Sequence, residues 1–145
     1  MQLVQTCRVY TEVMGIPRVL LADDHPKMLE QISQLLASES EIVGAVENGE
    51  QLIAAAVSLD PDVIVLDISM PVLNGIEAAR HLQKSRSRAK VIILTMQEDD
   101  AFVAAAVLAG ALGYVLKRRI SIDLIPAIRQ VLQGQVFVSP PLRIH

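Results

Sequence analysis

The chain has 145 residues, a length that suits one domain with a single buried core. Its 13 basic and 16 acidic side chains leave a net charge of −3, which excludes the strongly basic surface of a non-specific nucleic-acid coat. The 52% hydrophobic content argues against a disordered chain. The 3% aromatic content disfavours a protein that stacks nucleic-acid bases on aromatic rings. The single cysteine excludes an internal disulfide framework and a multi-cysteine zinc site.

Five short apolar runs predict strands that are buried on both faces of a parallel sheet. In chain order they are Arg18–Ala22, Ile42–Val46, Val63–Asp67, Val91–Thr95 and Gly113–Leu116. Residues 1–15 match no motif and are interpreted as an N-terminal extension, without the pattern of a signal peptide. The uncharged stretch at 101–116 is shorter than the ~20 residues that a membrane span needs, and two glycines interrupt it.

Helical periodicity fills the intervals between the predicted strands and follows the last one. Asn48 is the predicted cap of the second helix, Gly110 ends the fourth, and Gly134 ends the fifth. Pro126 suits the fifth helix only in its first turn, so this helix is predicted to begin near Asp123. Five strand–helix units with short connections indicate an α/β fold with a doubly wound, five-stranded parallel sheet.

Polar residues stand at the carboxyl ends of four of these strands, where doubly wound sheets bind their ligands. They are Asp23 and Asp24 after the first strand, Asp67 at the third, Thr95 at the fourth and Lys117 after the fifth. Crowded carboxylates favour a cation, and their hard oxygens suit Mg²⁺. Mg²⁺ with an ammonium group and a hydroxyl can hold phosphoryl oxygens, and Asp67 is the natural nucleophile for a phosphoryl group.

Each of these residues has a more ordinary explanation when it is taken alone. Asp24 could be a helix cap, Thr95 a strand-end hydroxyl, and Lys117 a solvated surface lysine. Unrelated side chains would rarely occupy all these strand ends together, so the joint pattern favours a site. His25 is interpreted as a helix-start residue and His81 as a solvated helix residue.

Four segments resemble the receiver domain of bacterial two-component response regulators. They are VLLADDHP at 19–26, VIVLDISMPVLNG at 63–75, VIILT at 91–95 and GYVLK at 113–117. The Asp-Asp-His-Pro sequence and the ending at 134–140 are most similar to the NarL/FixJ (LuxR-type) subfamily. The resemblance implies a (βα)5 flavodoxin-like fold with strand order 2-1-3-4-5 over residues 16–134. Residues 135–145 would begin a linker, with the output domain absent.

The same resemblance implies a role for each pocket residue. Asp67 would accept the phosphoryl group, and Asp23, Asp24, Asp67 and the backbone carbonyl of Ser69 would bind Mg²⁺. Lys117 would pair with the phosphoryl group, while Thr95 and Tyr114 would form a switch that changes the surface of helix 4, strand 5 and helix 5. The domain would catalyse its own phosphorylation and dephosphorylation without turning over an external substrate.

The resemblance also implies partners and a compartment. The phosphodonor would be a histidine kinase or a phosphotransfer protein, phosphorylation would favour a homodimer, and the protein would be cytoplasmic without membrane contact. A DNA-binding helix-turn-helix does not fit into the eleven residues after Gly134. DNA binding is therefore expected of a longer transcription regulator that contains this domain, and not of this chain alone.

Three alternatives remain at this point. The chain could be a stand-alone single-domain regulator, or a receiver-like binding module that works without phosphorylation. It could also be a phosphatase that forms an aspartyl phosphate, although Ser69 stands where the dehalogenase-related enzymes carry a second aspartate.

Overall fold

Strands and helices alternate along the part of the chain that the computed structural model describes, which is residues 15–71, 73–96 and 98–143. The strands are β1 (Arg18–Ala22), β2 (Glu41–Val46), β3 (Val63–Asp67), β4 (Lys90–Thr95), β5 (Gly113–Leu116) and β6 (Phe137–Val138). The helices are α1 (Pro26–Leu36), α2 (Gly49–Leu59), α3 (Gly75–Lys84), α4 (Asp100–Leu108) and α5 (Ile120–Leu132), the last preceded by a 3₁₀ turn at Lys117–Arg119. The predicted extension at 1–15 lies outside the described residues except for Gly15.

The strands form one parallel sheet in the order β2-β1-β3-β4-β5-β6. The predicted order of the first five strands and the α/β class are thereby confirmed. The structure adds β6, a two-residue edge strand that pairs Phe137 with Gly113 and Val138 with Tyr114. This strand lies in the segment that the sequence suggested as the start of a linker.

The sheet separates two apolar layers. Alternate side chains of the central strands point to opposite faces, as Leu20, Ile64 and Ile93 do against Leu21, Val65 and Ile92. The first set packs with α2, α3 and α4, and the second with α1 and α5. Strand β2 is only partly buried because it lies at the sheet edge, so the expectation that every strand is buried on both faces does not hold for it.

Helix ends follow the local signals in three of the four predicted cases, including Gly134, which follows the end of α5 with φ +79°. The side chain of Asn48 accepts a hydrogen bond from the Gln51 N–H at the start of α2, as predicted. Helix α4 stops at Leu108, and Gly110 follows with φ +97°, a backbone conformation that favours glycine. Among the described helices, none is long and apolar enough to cross a bilayer.

The predicted start of α5 near Asp123 is wrong. The helix begins at Ile120, directly after the 3₁₀ turn, so Pro126 lies inside it rather than in its first turn. Asp123 does not cap the helix, because its buried carboxylate binds the side chains of Arg119 and Ser139. Tertiary contacts have therefore outweighed the local preference of proline for the first turn.

Candidate functional site

The carboxyl ends of four neighbouring strands meet at one edge of the sheet. Asp67 is the last residue of β3 and Thr95 the last of β4, while Asp23 directly follows β1 and Lys117 directly follows β5. Strands β1, β3, β4 and β5 are adjacent and parallel, so all four side chains arrive on the same side. The structure therefore brings together the residues that the sequence placed at strand ends.

Lys117 joins the ends of three strands. Its Nζ lies 3.1 Å from Asp23 Oδ2 and 3.3 Å from Asp67 Oδ1. The lysine side chain is only 8% exposed, so these are contacts of a largely desolvated ammonium group. The interpretation of Lys117 as a solvated surface lysine is excluded by this burial.

Asp67 lies at the bottom of the pocket with 2% exposure. Burial raises the pKa of its carboxyl group above the usual value, and the neighbouring Asp23 raises it further, although Lys117 and the N–H of Ser69 act in the opposite direction. The Ser69 N–H lies 3.3 Å from Asp67 Oδ1 and is the contact by which Ser69 takes part in this site. One lysine thus leaves the carboxylates incompletely compensated, which favours binding of a further cation.

Asp23 and Asp24 approach the pocket from the end of β1, and His25 lies across them. Asp23 is fully buried and accepts the His25 backbone N–H at 2.9 Å through Oδ1. The His25 Nδ1 lies 3.0 Å from Asp23 Oδ1 and 3.0 Å from Asp24 Oδ1. His25 occupies the N-cap position of α1, as expected for a helix-start residue, but its side chain does not cap the helix.

The contact between His25 and both acids is a feature that sequence reasoning missed. Its only signal in the sequence is that His25 directly follows the acidic pair. Periodicity could place His25 at the start of a helix, but the direction of its ring depends on the folded β1–α1 loop. His81, by contrast, is exposed on α3 as predicted.

A divalent cation fits the chemistry of this donor set. Asp23, Asp24, His25 and Asp67 each offer one ligand atom, and these atoms lie within 4.8 Å of one another. Carboxylate oxygens are the hard ligands that Mg²⁺ prefers, and the partly exposed Asp24 side chain gives the cluster contact with solvent, from which Mg²⁺ keeps several waters. Three carboxylates with one lysine also leave a net negative charge, which favours binding of a cation.

Thr95 and Tyr114 lie beside the pocket on the neighbouring strands β4 and β5. Both are buried, with exposures of 0% and 2%. Burial raises the pKa of the Tyr114 hydroxyl and the charge of Asp99 adds to this, while the nearby side chain of Thr95 lowers it. The hydroxyl of Tyr114 has no hydrogen bond of ordinary geometry among the described residues, so the ring is held mainly by packing.

The loop after Asp67 is held tightly to the end of β3. The Gly75 N–H donates to the Ile68 carbonyl at 2.9 Å, and a side chain on Gly75 would come within 2.5 Å of the Asp67 carbonyl oxygen. Asn74 and Glu77 form a capping box at the start of α3. The asparagine and glycine of the predicted motif therefore hold the loop next to Asp67.

A doubly wound sheet with carboxylates at the ends of β1 and β3, a hydroxyl at the end of β4 and a lysine at the end of β5 defines the receiver class of signalling domains. The sequence model of the response regulator receiver domain family matches residues 19–129, so the chain belongs to this family. The family expected from the sequence motifs is confirmed, and the relatives include proteins of the NarL and LuxR type.

Named relatives support this assignment. Response regulator GacA of Pseudomonas aeruginosa is 37% identical over 127 residues, which are 86% of this chain and 59% of that protein. The nitrate/nitrite response regulator protein NarL of Escherichia coli K12 is 36% identical over 126 residues, 86% of this chain and 58% of that protein. The chain thus spans about three-fifths of the length of these relatives.

A solved structure shares the fold closely. A two-component response regulator of the LuxR family from Aurantimonas sp. superposes with a TM-score of 0.83 at 32% identity, covering 87% of this chain and 91% of that one. The likeness therefore extends over most of the chain.

Proposed function

We propose that this receiver domain accepts a phosphoryl group on Asp67 in a Mg²⁺-dependent reaction. The observation that carries the proposal is the buried Asp67 carboxylate, whose Oδ1 lies 3.3 Å from Lys117 Nζ. A carboxylate can attack phosphorus to give an aspartyl phosphate, and the lysine beside it can pair with the incoming oxygens. The domain acts on itself, so it is not an enzyme that turns over an external substrate.

The transfer is a displacement at phosphorus. An Asp67 carboxylate oxygen forms a bond to phosphorus while the bond between phosphorus and the donor's histidine nitrogen breaks, and that nitrogen keeps the electron pair. Lys117 can shift from its present contacts with Asp23 and Asp67 toward the new phosphoryl oxygens.

Asp23, Asp24 and Asp67, with the backbone carbonyl of Ser69, are the proposed Mg²⁺ ligands. When bound, Mg²⁺ supplies positive charge that offsets the charge of the transferring phosphoryl group. The clustering of the three carboxylates supports this assignment. His25 has to release Asp23 Oδ1 and Asp24 Oδ1, or share them, when a cation takes these oxygens.

Thr95 and Tyr114 are the proposed switch. The phosphoryl group carries about −1.5 to −2 charge in place of the single charge of the Asp67 carboxylate, and its oxygens attract the Thr95 hydroxyl. Tyr114 lies on the next strand against Thr95, so a movement of Thr95 changes the packing of the tyrosine. The expected result is a changed surface on α4, β5 and α5, through local electrostatics acting on a two-state packing arrangement.

Partners and context follow from the family. We infer a histidine kinase or a phosphotransfer protein as the donor, a cytoplasmic location, and a homodimer that phosphorylation favours. We also infer that the domain regulates transcription as the receiver of a longer DNA-binding protein, since it spans about three-fifths of GacA and NarL. A solved structure of the relative RcsB contains two dimers bound to two parallel DNAs, which supports the inferred homodimer and the inferred DNA-binding context.

Intact-mass spectrometry after incubation with acetyl phosphate and Mg²⁺ tests the proposal. The wild-type chain should gain one phosphoryl group, Asp67→Asn should gain none, and chelation of Mg²⁺ should abolish the gain. Asp60→Asn is the matched control, because Asp60 is exposed, has φ +46°, and asparagine tolerates that conformation. Labelling that survives Asp67→Asn would contradict the assignment, and no labelling of the wild type by any donor would favour a phosphorylation-independent module.

A further inference from the structure

The chain after α5 returns to the sheet and packs against the β5 edge. Strand β6 extends the sheet, and the Ser139 N–H donates to the Tyr114 carbonyl at 2.9 Å. Leu142 is 7% exposed and belongs to the same apolar cluster as Tyr114. The Arg143 N–H donates to Asp100 Oδ1 at 3.1 Å, at the start of α4. Residues 137–143, here called the β6 strap, thus connect β5 with α4.

Ser139 is the polar centre of the β6 strap. It is fully buried, and its hydroxyl donates to Asp123 Oδ2 at 2.7 Å while it accepts the Leu116 N–H at 3.1 Å. Asp123 also accepts two hydrogen bonds from Arg119, at 2.7 and 3.2 Å. Burial raises the pKa of Asp123, but the hydrogen bonds from Arg119 and Ser139 outweigh it and hold the pKa below the usual value. The network is therefore anchored on an ionised carboxylate.

The hydrogen bond to Leu116 has a particular position in the sheet. The paired residues of β5 and β6 end at Tyr114 and Val138, so Leu116 lies two residues beyond the last pair. The Ser139 hydroxyl takes the place of a strand carbonyl for the Leu116 N–H. Lys117, which contacts Asp67 and Asp23, is the next residue after Leu116.

We propose that Ser139, held by Asp123, is a positioning residue that fixes the carboxyl end of β5 and so places Lys117 in the phosphorylation pocket. The β6 strap is in this way coupled to the state of that pocket. The buried hydrogen bond from the Leu116 N–H to Ser139 and the pairing of Leu116 with Thr95 leave its backbone little freedom, so Lys117 reaches Asp67 without having to be ordered first. Coupling between two sites is reciprocal, so occupation of the pocket tightens the strap by the same free energy with which the strap favours occupation.

This inference rests on the proposed function, because it assigns a coupled element to the same pocket. Purely structural support would also produce a buried, satisfied network around Ser139. The two possibilities differ in one respect: structural support changes the stability of the whole domain, whereas positioning also changes how strongly the folded pocket binds a phosphoryl mimic.

Titration of the chain with beryllofluoride at saturating Mg²⁺ measures binding by the folded pocket. Ser139→Ala should weaken beryllofluoride binding by about fivefold or more, the low end of typical coupling between sites. Ile32→Val is the stability-matched control, since Ile32 is a buried apolar residue of α1 that belongs neither to the proposed phosphorylation site nor to the β6 strap. Ser121→Ala controls for the loss of an exposed serine on α5. Both controls should bind within twofold of the wild type.

Amide hydrogen exchange measured by NMR tests the reciprocal effect. Beryllofluoride with Mg²⁺ should slow exchange of the Leu116 and Ser139 N–H groups in the wild type, and this slowing should be lost at Leu116 in Ser139→Ala. Unchanged affinity in Ser139→Ala, or an equal loss in Ile32→Val, overturns the inference while the proposed function stands. A wild-type chain that binds no beryllofluoride overturns the proposed function, and the inference with it.

Discussion

Replacement of Lys117 by methionine would remove the one lysine that contacts the carboxylates of the pocket among the described residues. The ammonium group lies 3.1 Å from Asp23 and 3.3 Å from Asp67. At an effective dielectric constant of about 20, each contact corresponds to a gross attraction of about 5 kcal/mol. The cost of desolvating the lysine offsets much of this, and removing one partner of a buried ion pair typically destabilises a protein by about 3–5 kcal/mol. We expect Lys117→Met to lower the free energy of unfolding by about 3 kcal/mol near neutral pH without Mg²⁺.

The sign of the pH dependence follows from Asp67. Its pKa is raised in the folded protein, and Lys117 acts to lower it, so the variant raises the pKa further. A carboxyl group with a raised pKa contributes its full stability below its unfolded pKa and loses it as the pH rises through the folded pKa. The deficit of Lys117→Met should therefore be largest at neutral pH and shrink as the pH falls toward the pKa of unfolded aspartate.

Urea denaturation followed by far-ultraviolet circular dichroism measures this effect in a chain without tryptophan. Unfolding curves of the variant and wild type would be compared from about pH 7.5 to about pH 4.5, each with and without Mg²⁺. Lys84→Met, at an exposed position at the end of α3, is the matched control and should change little. A deficit that stays constant with pH and is not reduced by Mg²⁺ would refute the electrostatic reasoning.

Three further substitutions test individual parts of the site. Asp67→Asn should raise the free energy of unfolding at pH 7 by about 1 kcal/mol or more, because it removes a desolvated charge, and the gain should vanish at acidic pH in denaturation curves. Gly75→Ala should lower the free energy of unfolding by about 1–3 kcal/mol and slow labelling by acetyl phosphate, because the new Cβ meets the Asp67 carbonyl oxygen. An unchanged labelling rate would argue against the role of this loop. Tyr114→Phe should change the free energy of unfolding by less than about 1 kcal/mol, because the hydroxyl makes no hydrogen bond of ordinary geometry to the residues that the structure describes, and a larger loss would reveal a partner.

The sequence alone sufficed for the framework of the fold. Apolar runs of four or five residues identified the first five strands because such runs are typical of a parallel sheet covered on both faces, although β2 at the sheet edge is only partly buried. Asn48 predicted the start of α2 because its side chain accepts a hydrogen bond from the backbone N–H three residues later. Gly110 predicted the end of α4 because glycine readily adopts the positive φ that follows a helix. Parallel topology then required Asp67, Thr95 and Lys117 to share one sheet edge, whatever the loops do in detail.

The tertiary structure decided what depends on contacts between distant parts of the chain. The pairing of Phe137 with Gly113 is too short to leave a periodic signal, and the burial of Ser139 follows from it. Helix α5 begins at Ile120 and not near Asp123, as the sequence predicted, because Asp123 is bound by Arg119 and Ser139 instead of capping the helix.

The electrostatics of the pocket belong to the same category. Sequence motifs named Asp23, Asp67 and Lys117, but only the folded chain shows a buried lysine between two carboxylates and the His25 ring across the acidic pair. Local sequence determines which backbone conformations and which layers a segment prefers. Desolvation and charge pairing depend on which groups meet after the chain has folded. Together they set the pKa values of the pocket and the repulsion between its carboxylates, on which the proposed phosphorylation depends.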